Sequence, residues 1–150
     1  MADGFQVDQP LPDLTVRAAD GTPTTLAAHL GQQATFVNFL HGTWCAECVG
    51  ELHRLQRYRA DIETTGAKVV VVTHDAPEVL AGFLMSTQSP IEYTVLADSE
   101  HASGIGDDSL SLVMNGKGIV RWLARWSDHR DHPSYQIILG VLCDVTRPAA

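Results

Sequence analysis

The sequence has few basic residues and no long apolar run. Lysine and arginine contribute 10 of its 150 residues, against 18 from aspartate and glutamate, so the net charge is −8 with histidine neutral. A chain of this charge repels phosphate backbones and anionic lipids, so we expect neither nucleic acid nor membranes as partners. The lack of any apolar stretch of about 18 residues also argues against a membrane-spanning helix.

Cysteine is scarce as well. The chain has three cysteines, and two of them, Cys45 and Cys48, are separated by only two residues. An odd count with this spacing does not fit the disulfide framework of a small secreted protein. Residues 1–4 also lack the basic and apolar regions of a secretory signal. We therefore expect a cytoplasmic protein whose close cysteine pair is catalytic or binds a metal.

The length of the chain suits one domain. Its 150 residues, 45% of them hydrophobic, can bury a single substantial core. No internal repeat divides the chain. We predict a single domain over residues 1–150, in which residues 1–34 form a lead-in hairpin with a helical turn and residues 35–150 form the core that carries the cysteine pair.

Hydrophobic patterning puts the cysteine pair between a strand and a helix. Residues 35–40 form an apolar run too short for a helix, which is typical of a strand buried on both faces. From residue 45 to about residue 65, apolar side chains recur at three- and four-residue steps, which predicts an amphipathic helix ended by Gly66. The β-branched run at residues 68–73 predicts a central strand, so the three elements form a βαβ unit.

Further elements follow this unit. The patterns predict a helix over residues 77–86 capped by Asp75, a strand over 93–96, a hairpin of 110–114 with 119–123, and a helix over 134–143. Together the elements predict an α/β fold with a mixed central sheet and helices on both faces.

The start of a helix is a favourable place for a reactive thiol. Unpaired backbone N–H groups and the positive end of the helix dipole stabilise an anion there, which favours the thiolate of Cys45. We expect Cys45 to be the nucleophile and Cys48, one turn later and less exposed, to resolve the mixed disulfide. The βαβ context favours this redox interpretation over zinc, which needs four ligands, because Cys143 and His41 each stand alone. We expect no bound metal or cofactor.

The segment TFVNFLHGTWCAEC at residues 35–48 resembles the strand and active site of thioredoxin-like redoxins, which include the peroxiredoxin-like AhpC/TSA proteins. Trp44, directly before the first cysteine, is typical of that superfamily. Shorter similar segments lie at residues 12–14, 20–21, 97–98 and 103–105. The resemblance implies a thioredoxin fold, an antioxidant role and dithiol–disulfide exchange at Cys45 and Cys48.

Two positions depart from the patterns of this superfamily. Peroxidatic members carry P-x-x-x-T-x-x-C, whereas this chain has Asn38 and Gly42 at the proline and threonine positions, with Thr43 one residue out of register. Thioredoxin-like oxidoreductases also carry a cis-proline opposite the active site, where this chain has Ser109. A cis bond before a non-proline residue costs about 2.5–4 kcal/mol, so we predict a trans peptide bond before Ser109.

Other candidate residues lie around the pair. We expect Thr43, Trp44 and Ser109 to face the substrate. Glu47 and His41 are candidates for tuning the thiols, although Glu47 is equally expected as an ordinary acid in a first helical turn.

Two further features are expected to be structural. Cys143 lies in an apolar helix and is predicted to be a small buried hydrophobe. The histidine and aspartate cluster at residues 128–132 is predicted to be a solvated loop rather than a metal site.

Three functions remain open at this point. The leading hypothesis is a thiol–disulfide oxidoreductase that acts on protein or small-molecule disulfides and is reduced by a cellular thiol. The second is a thiol peroxidase in which Cys45 reacts with peroxide and Cys48 condenses with the resulting sulfenic acid. The third is a non-catalytic metal-binding or scaffold domain.

Overall fold

A seven-stranded mixed sheet forms the centre of the protein. The structure is a computed structural model that describes residues 4–106 and 108–147. Its strands are β1 (Thr15–Arg17), β2 (Pro23–Thr25), β3 (Ala34–Leu40), β4 (Ala67–Thr73), β5 (Thr94–Ala97), β6 (Ser109–Asn115) and β7 (Val120–Trp126). The α-helices are α1 (Ala46–Thr64), α2 (Pro77–Ser86) and α3 (Tyr135–Thr146), and 3₁₀ helices lie at Ala27–His29 and His129–Asp131.

The order of the strands is β2-β1-β5-β4-β3-β6-β7. Helix α1 connects β3 to its parallel neighbour β4, and α2 connects β4 to its parallel neighbour β5. On the other side of β3, the hairpin of β6 and β7 adds two antiparallel strands. All seven residues of β3 are buried, as expected for a strand covered on both faces.

Each face of the sheet buries its own apolar cluster, because side chains alternate between faces along a strand. One face presents Phe36 and Val69, among others, and is covered by all three α-helices. The other presents Val37 and Val70 and is covered by the N-terminal segment and by Ile105. The predicted mixed sheet is confirmed, but the prediction of helices on both faces is wrong for the α-helices of the described residues. All three lie on the face where α1 begins, because the N-terminal segment and Ile105 cover the other face.

Most predicted elements are confirmed to within a few residues. Gly66 follows the end of α1 with φ +97°, a left-handed conformation that glycine adopts at low cost. The lead-in hairpin is formed by β1 and β2, and β1 also pairs with β5 in the central sheet. Within the described residues, no helix combines the length and the apolar character needed to cross a membrane.

Two local predictions are wrong. Cys143 is exposed, because Ile138 and Leu142 take the buried side of α3. Asp75 does not cap α2, whose N-cap residue is Ala76 without a side-chain cap. The carboxylate of Asp75 turns instead toward the loop that carries the cysteine pair.

Candidate functional site

The cysteine pair lies where β3 gives way to α1. Cys45 is the N-cap residue of α1, and its carbonyl accepts a hydrogen bond from the N–H of Val49 at 3.0 Å. Cys48 lies in the first turn of the helix. Both thiols are free, and their sulfurs lie within 4.8 Å of each other. A change of side-chain rotamer is the kind of motion that brings such sulfurs to bonding distance.

The two thiols have different surroundings. Cys45 is half-buried, whereas Cys48 is only 6% exposed, so the lower exposure predicted for Cys48 is confirmed. Burial raises the pKa of the Cys48 thiol to about 11. Hydrogen bonds with the backbone of Gly42 and His41 act in the opposite direction and lower the pKa by less. Cys48 is therefore protonated at neutral pH. The roles of Cys45 as nucleophile and Cys48 as resolving thiol stay predictions.

Asp75 holds the loop between β3 and α1. Its carboxylate oxygens accept the backbone N–H of Thr43 at 2.9 and 3.2 Å and the hydroxyl of Thr73 at 2.9 Å. The close approach requires glycine at position 42, where a Cβ would lie 2.5 Å from Nε1 of Trp44 and 2.8 Å from Oδ1 of Asp75. Packing thus accounts for Gly42 at the position where peroxidatic proteins of the superfamily that residues 35–48 resemble carry threonine.

A small cleft lies beside the sulfurs. Its lining residues are His41, Cys45, Glu47, Cys48, Ser109, Trp126 and Ser127. Ser109 is buried and lies in this cleft, as its predicted position opposite the cysteines requires. The peptide bond before it is trans, as predicted, since the described residues contain no cis bond. Glu47 is exposed in the first turn of α1 and also borders the cleft.

A second cleft, of about 290 Å³, shares His41 with the first and is also lined by Trp44, His74 and His101. Trp44 is 74% exposed, and its ring lies parallel to that of His41 with 6.3 Å between centroids. Thr43 lines neither cleft and contributes its backbone N–H to Asp75 instead. The expectation that Thr43, Trp44 and Ser109 contact substrate stays a prediction.

Three potential metal ligands meet at the first cleft. A ring nitrogen of His41 and the sulfurs of Cys45 and Cys48 all lie within 4.8 Å of one another. In residues 4–106 and 108–147, no other three histidine, cysteine or carboxylate side chains come together in this way. His41 stands alone in the sequence, yet the turn into α1 brings its ring to the pair. The expectation of no bound metal depended on His41 standing alone, and this geometry removes that reason.

Next to the first cleft lies a group of buried polar side chains that the predictions from sequence did not include, and we call it the buried polar cluster. Its members are Asn38, Glu51, Ser111, Trp126, His132 and Tyr135. The hydroxyl of Ser111 donates to Oδ1 of Asn38 at 2.6 Å and accepts from Nε1 of Trp126 at 3.1 Å. The hydroxyl of Tyr135 donates to the carboxylate of Glu51. Polar residues within strands predicted to be buried, such as Asn38 and Ser111, are the signal that indicates such a cluster.

His132 lies between the two halves of the buried polar cluster, with its Nε2 close to Asn38 and 3.4 Å from Oε2 of Glu51. Its Nδ1 lies 2.7 Å from the carbonyl of Pro133, which only accepts hydrogen bonds, so Nδ1 carries the proton and Nε2 accepts from Nδ2 of Asn38 at 3.3 Å. Burial lowers the pKa of His132 to about 4, so the ring is neutral at pH 7. The predicted solvated loop at residues 128–132 is therefore wrong at His132, whose ring packs against Trp126.

Comparisons with known proteins match this architecture. The sequence profile of the AhpC/TSA family matches residues 7–104. A bacterioferritin comigratory protein from Xanthomonas campestris superposes with a TM-score of 0.74 at 17% identity, over 89% of this chain and 92% of that chain. A peroxiredoxin-like protein from Aquifex aeolicus superposes with a TM-score of 0.76 at 17% identity, over 94% of this chain and 88% of that chain. A protein from Chlorobium tepidum described as a thiol:disulfide interchange protein, DsbE, superposes with a TM-score of 0.71 at 21% identity, over 93% of this chain and 99% of that chain.

These similarities show that the predicted thioredoxin fold is correct. No curated protein sequence matches the chain.

Proposed function

The chain belongs to the AhpC/TSA family, and we propose that it is a thiol–disulfide oxidoreductase with Cys45 as nucleophile and Cys48 as resolving thiol. The observation that carries this proposal is the unequal exposure of two adjacent free thiols. Cys45 is half-buried at the N-terminus of a 19-residue helix, where a thiolate is favoured. Cys48 lies one turn further on and is buried.

The proposed cycle is a two-electron exchange. The thiolate of Cys45 attacks one sulfur of the substrate disulfide, which forms a mixed disulfide and releases the other sulfur as a thiolate. Cys48 then loses its proton and attacks the sulfur of Cys45. This step forms the Cys45–Cys48 disulfide and releases the second substrate thiol. A cellular thiol reductant returns two electrons and two protons to the pair.

The raised pKa of Cys48 fits its proposed role. A thiol with a pKa of about 11 stays protonated while substrate binds, so one nucleophile is present at a time. Its attack is also intramolecular, and proximity favours such a step. Resolution of the mixed disulfide thus depends on proton removal from Cys48.

The proposed substrates are protein or small-molecule disulfides. Trp44 is a large exposed aromatic side chain directly before the nucleophile. Aromatic side chains of this kind supply much of the binding energy where proteins dock. Trp44 is therefore the main proposed substrate contact. Ser109, which lines the first cleft beside the sulfurs, and Thr43, in the loop that carries the cysteines, are the other proposed substrate-facing residues. A cytoplasmic location is part of the proposal.

Peroxide reduction is the second candidate function, and it is favoured by the peroxiredoxin names of several similar structures. In that reaction Cys45 attacks peroxide and becomes a sulfenic acid with release of water or alcohol, and Cys48 condenses with it and releases water. Because Gly42 has no side chain to orient a peroxide, we rank disulfide reduction above peroxide reduction.

The deciding experiment compares both reactions with one reductant. We expect reduction of an insulin-type protein disulfide to exceed peroxide turnover, and Cys48→Ser to accumulate mixed disulfides on Cys45. Cys143→Ser is the matched control, because Cys143 is an exposed thiol on α3 with no part in the cycle. Rapid peroxide consumption that is lost in Cys45→Ser, together with negligible disulfide reduction, would reverse the order of the two functions.

A further inference from the structure

His41, Cys45 and Cys48 form a compact set of donor atoms. The three donors lie within 4.8 Å of one another, with Cys48 buried and the other two half-buried. A metal ion has access from the first cleft, which all three residues line. We propose that the reduced protein binds a thiophilic divalent cation of the zinc type at these three side chains.

The chemistry of the donors fits this class of ion. Two thiolates and one imidazole are ligands that Zn²⁺ prefers. With Zn–S bonds of about 2.3 Å, the ligand atoms of a tetrahedral site lie about 3.5–3.8 Å apart, so a small inward shift of the side chains completes the site. Three protein ligands leave the fourth position open for water or an external thiolate.

The loop that carries the ligands is held by hydrogen bonds outside the three donor atoms. The carbonyl of His41 accepts the N–H of His74 at 3.2 Å, and the N–H of Thr43 is held by Asp75. The ring of His41 lies parallel to that of Trp44. Binding therefore requires little ordering of the backbone, which favours affinity.

Metal binding and disulfide formation exclude each other at this site, and this part of the inference rests on the proposed function. Binding of M²⁺ to the dithiol releases two protons from the two thiols. A substrate disulfide then takes two electrons from the bound thiolates. The products are the Cys45–Cys48 disulfide, two substrate thiolates and free M²⁺. The reduced protein holds the ion and the oxidised protein releases it.

The experiment titrates reduced protein with Zn²⁺ and, as a spectroscopic probe, with Co²⁺. We expect one ion per chain and the intense visible bands of tetrahedral Co²⁺ with thiolate ligands. His41→Asn should weaken binding at least about tenfold, and Cys45→Ser should abolish the bands. The matched control is His101→Asn, because His101 lines only the neighbouring cleft and has φ +54°, which asparagine tolerates. Equal affinity in wild type and His41→Asn would overturn the proposed site.

Alkylation of the wild-type protein tests the site without relying on variants that could misfold. Bound Zn²⁺ should protect Cys45 and Cys48 from alkylation and leave the exposed Cys143 reactive; equal protection or no protection would contradict the proposal. Oxidation with a small disulfide should then release the ion. If the reduced protein binds the metal ion but never forms the Cys45–Cys48 disulfide, the proposed function is overturned and the proposed metal site is retained. Disulfide reduction without any metal binding would overturn this inference alone.

Discussion

The loop that carries the cysteines and the buried polar cluster lie on the same face of the sheet but are built differently. In the loop, the reactive side chains come from eight consecutive residues, 41–48. The loop is held largely by hydrogen bonds from its backbone N–H groups, and it packs closely because Gly42 has no side chain. In the cluster, side chains from β3, α1, β6, β7 and the segment that begins α3 bond to one another.

This difference indicates that the loop serves the reaction and that the cluster serves the stability of the fold. Thiols that must change partners during a reaction cannot be fixed by permanent side-chain bonds, so the loop is fixed by its backbone. Buried polar groups that do not react are costly unless they are paired, and the cluster pairs them. We therefore expect substitutions in the loop to change activity, whether or not they also change stability, and substitutions in the cluster to change the free energy of unfolding with little effect on activity.

The largest expected effect is the loss of activity in Cys45→Ser. Removal of the proposed nucleophile should lower disulfide reduction at least about a thousandfold. The free energy of unfolding should change by less than about 1 kcal/mol, because the replacement is nearly isosteric. Parallel insulin-reduction assays and urea unfolding of Cys45→Ser and Cys143→Ser test both statements. Retained activity in Cys45→Ser would remove the basis of the proposed mechanism.

Gly42→Ala tests whether the backbone positions the loop. The added methyl group would overlap Trp44 and Asp75 and displace Thr43 from its carboxylate partner, so we expect about a tenfold loss of reductase activity and about 1–3 kcal/mol of destabilisation. Gly50→Ala in α1 is the control, since nothing lies within 4 Å of its Cβ position. That change should stabilise the helix by up to about 1 kcal/mol. Equal behaviour of the two variants would show that the close approach at Gly42 has no consequence.

The same contrast explains what the sequence could predict. The strand–helix junction and the cysteine pair are local features, and hydrophobic periodicity was sufficient to place them. Asp75 reaches a residue 32 positions away, and Asn38 reaches one 94 positions away, so no local pattern indicates either partner. Periodicity also fails in α3, because this helix is apolar around most of its circumference and its pattern does not show that Cys143 lies on the exposed side.

Tyr135→Phe tests the buried polar cluster. The variant keeps the ring, which stacks on Tyr58 at 4.3 Å between centroids, and removes the hydroxyl that donates to Glu51. Because the buried carboxylate of Glu51 then loses one of its hydrogen-bond donors, we expect about 1–3 kcal/mol of destabilisation in urea unfolding. Reductase activity at temperatures well below unfolding should stay within about twofold. A much larger loss of activity would show that the cluster takes part in the exchange reaction.

The smallest expected effect is a pH dependence of stability that arises from His132. Burial holds the pKa of this ring near 4, with Arg54 lowering it further and the Pro133 carbonyl opposing, whereas an unfolded histidine has a pKa of about 6.5. Between these values the unfolded chain binds a proton that the folded chain does not. The stability contributed by neutral His132 is therefore complete above about pH 6.5 and is lost as pH falls toward 4.

The measurement compares urea unfolding of wild type and His132→Asn at pH 7 and pH 5.5. The surface carboxylates are present in both proteins and cancel in the difference between the two curves. That difference reports His132 together with its interaction with the Glu51 carboxylate, which lies 3.4 Å from the ring. Wild type should lose about 1 kcal/mol more than the variant over this interval. A wild-type protein that loses no more than His132→Asn would show that the ring is charged or exposed in the folded state, and the neutral His132 assigned to the buried polar cluster would then be wrong.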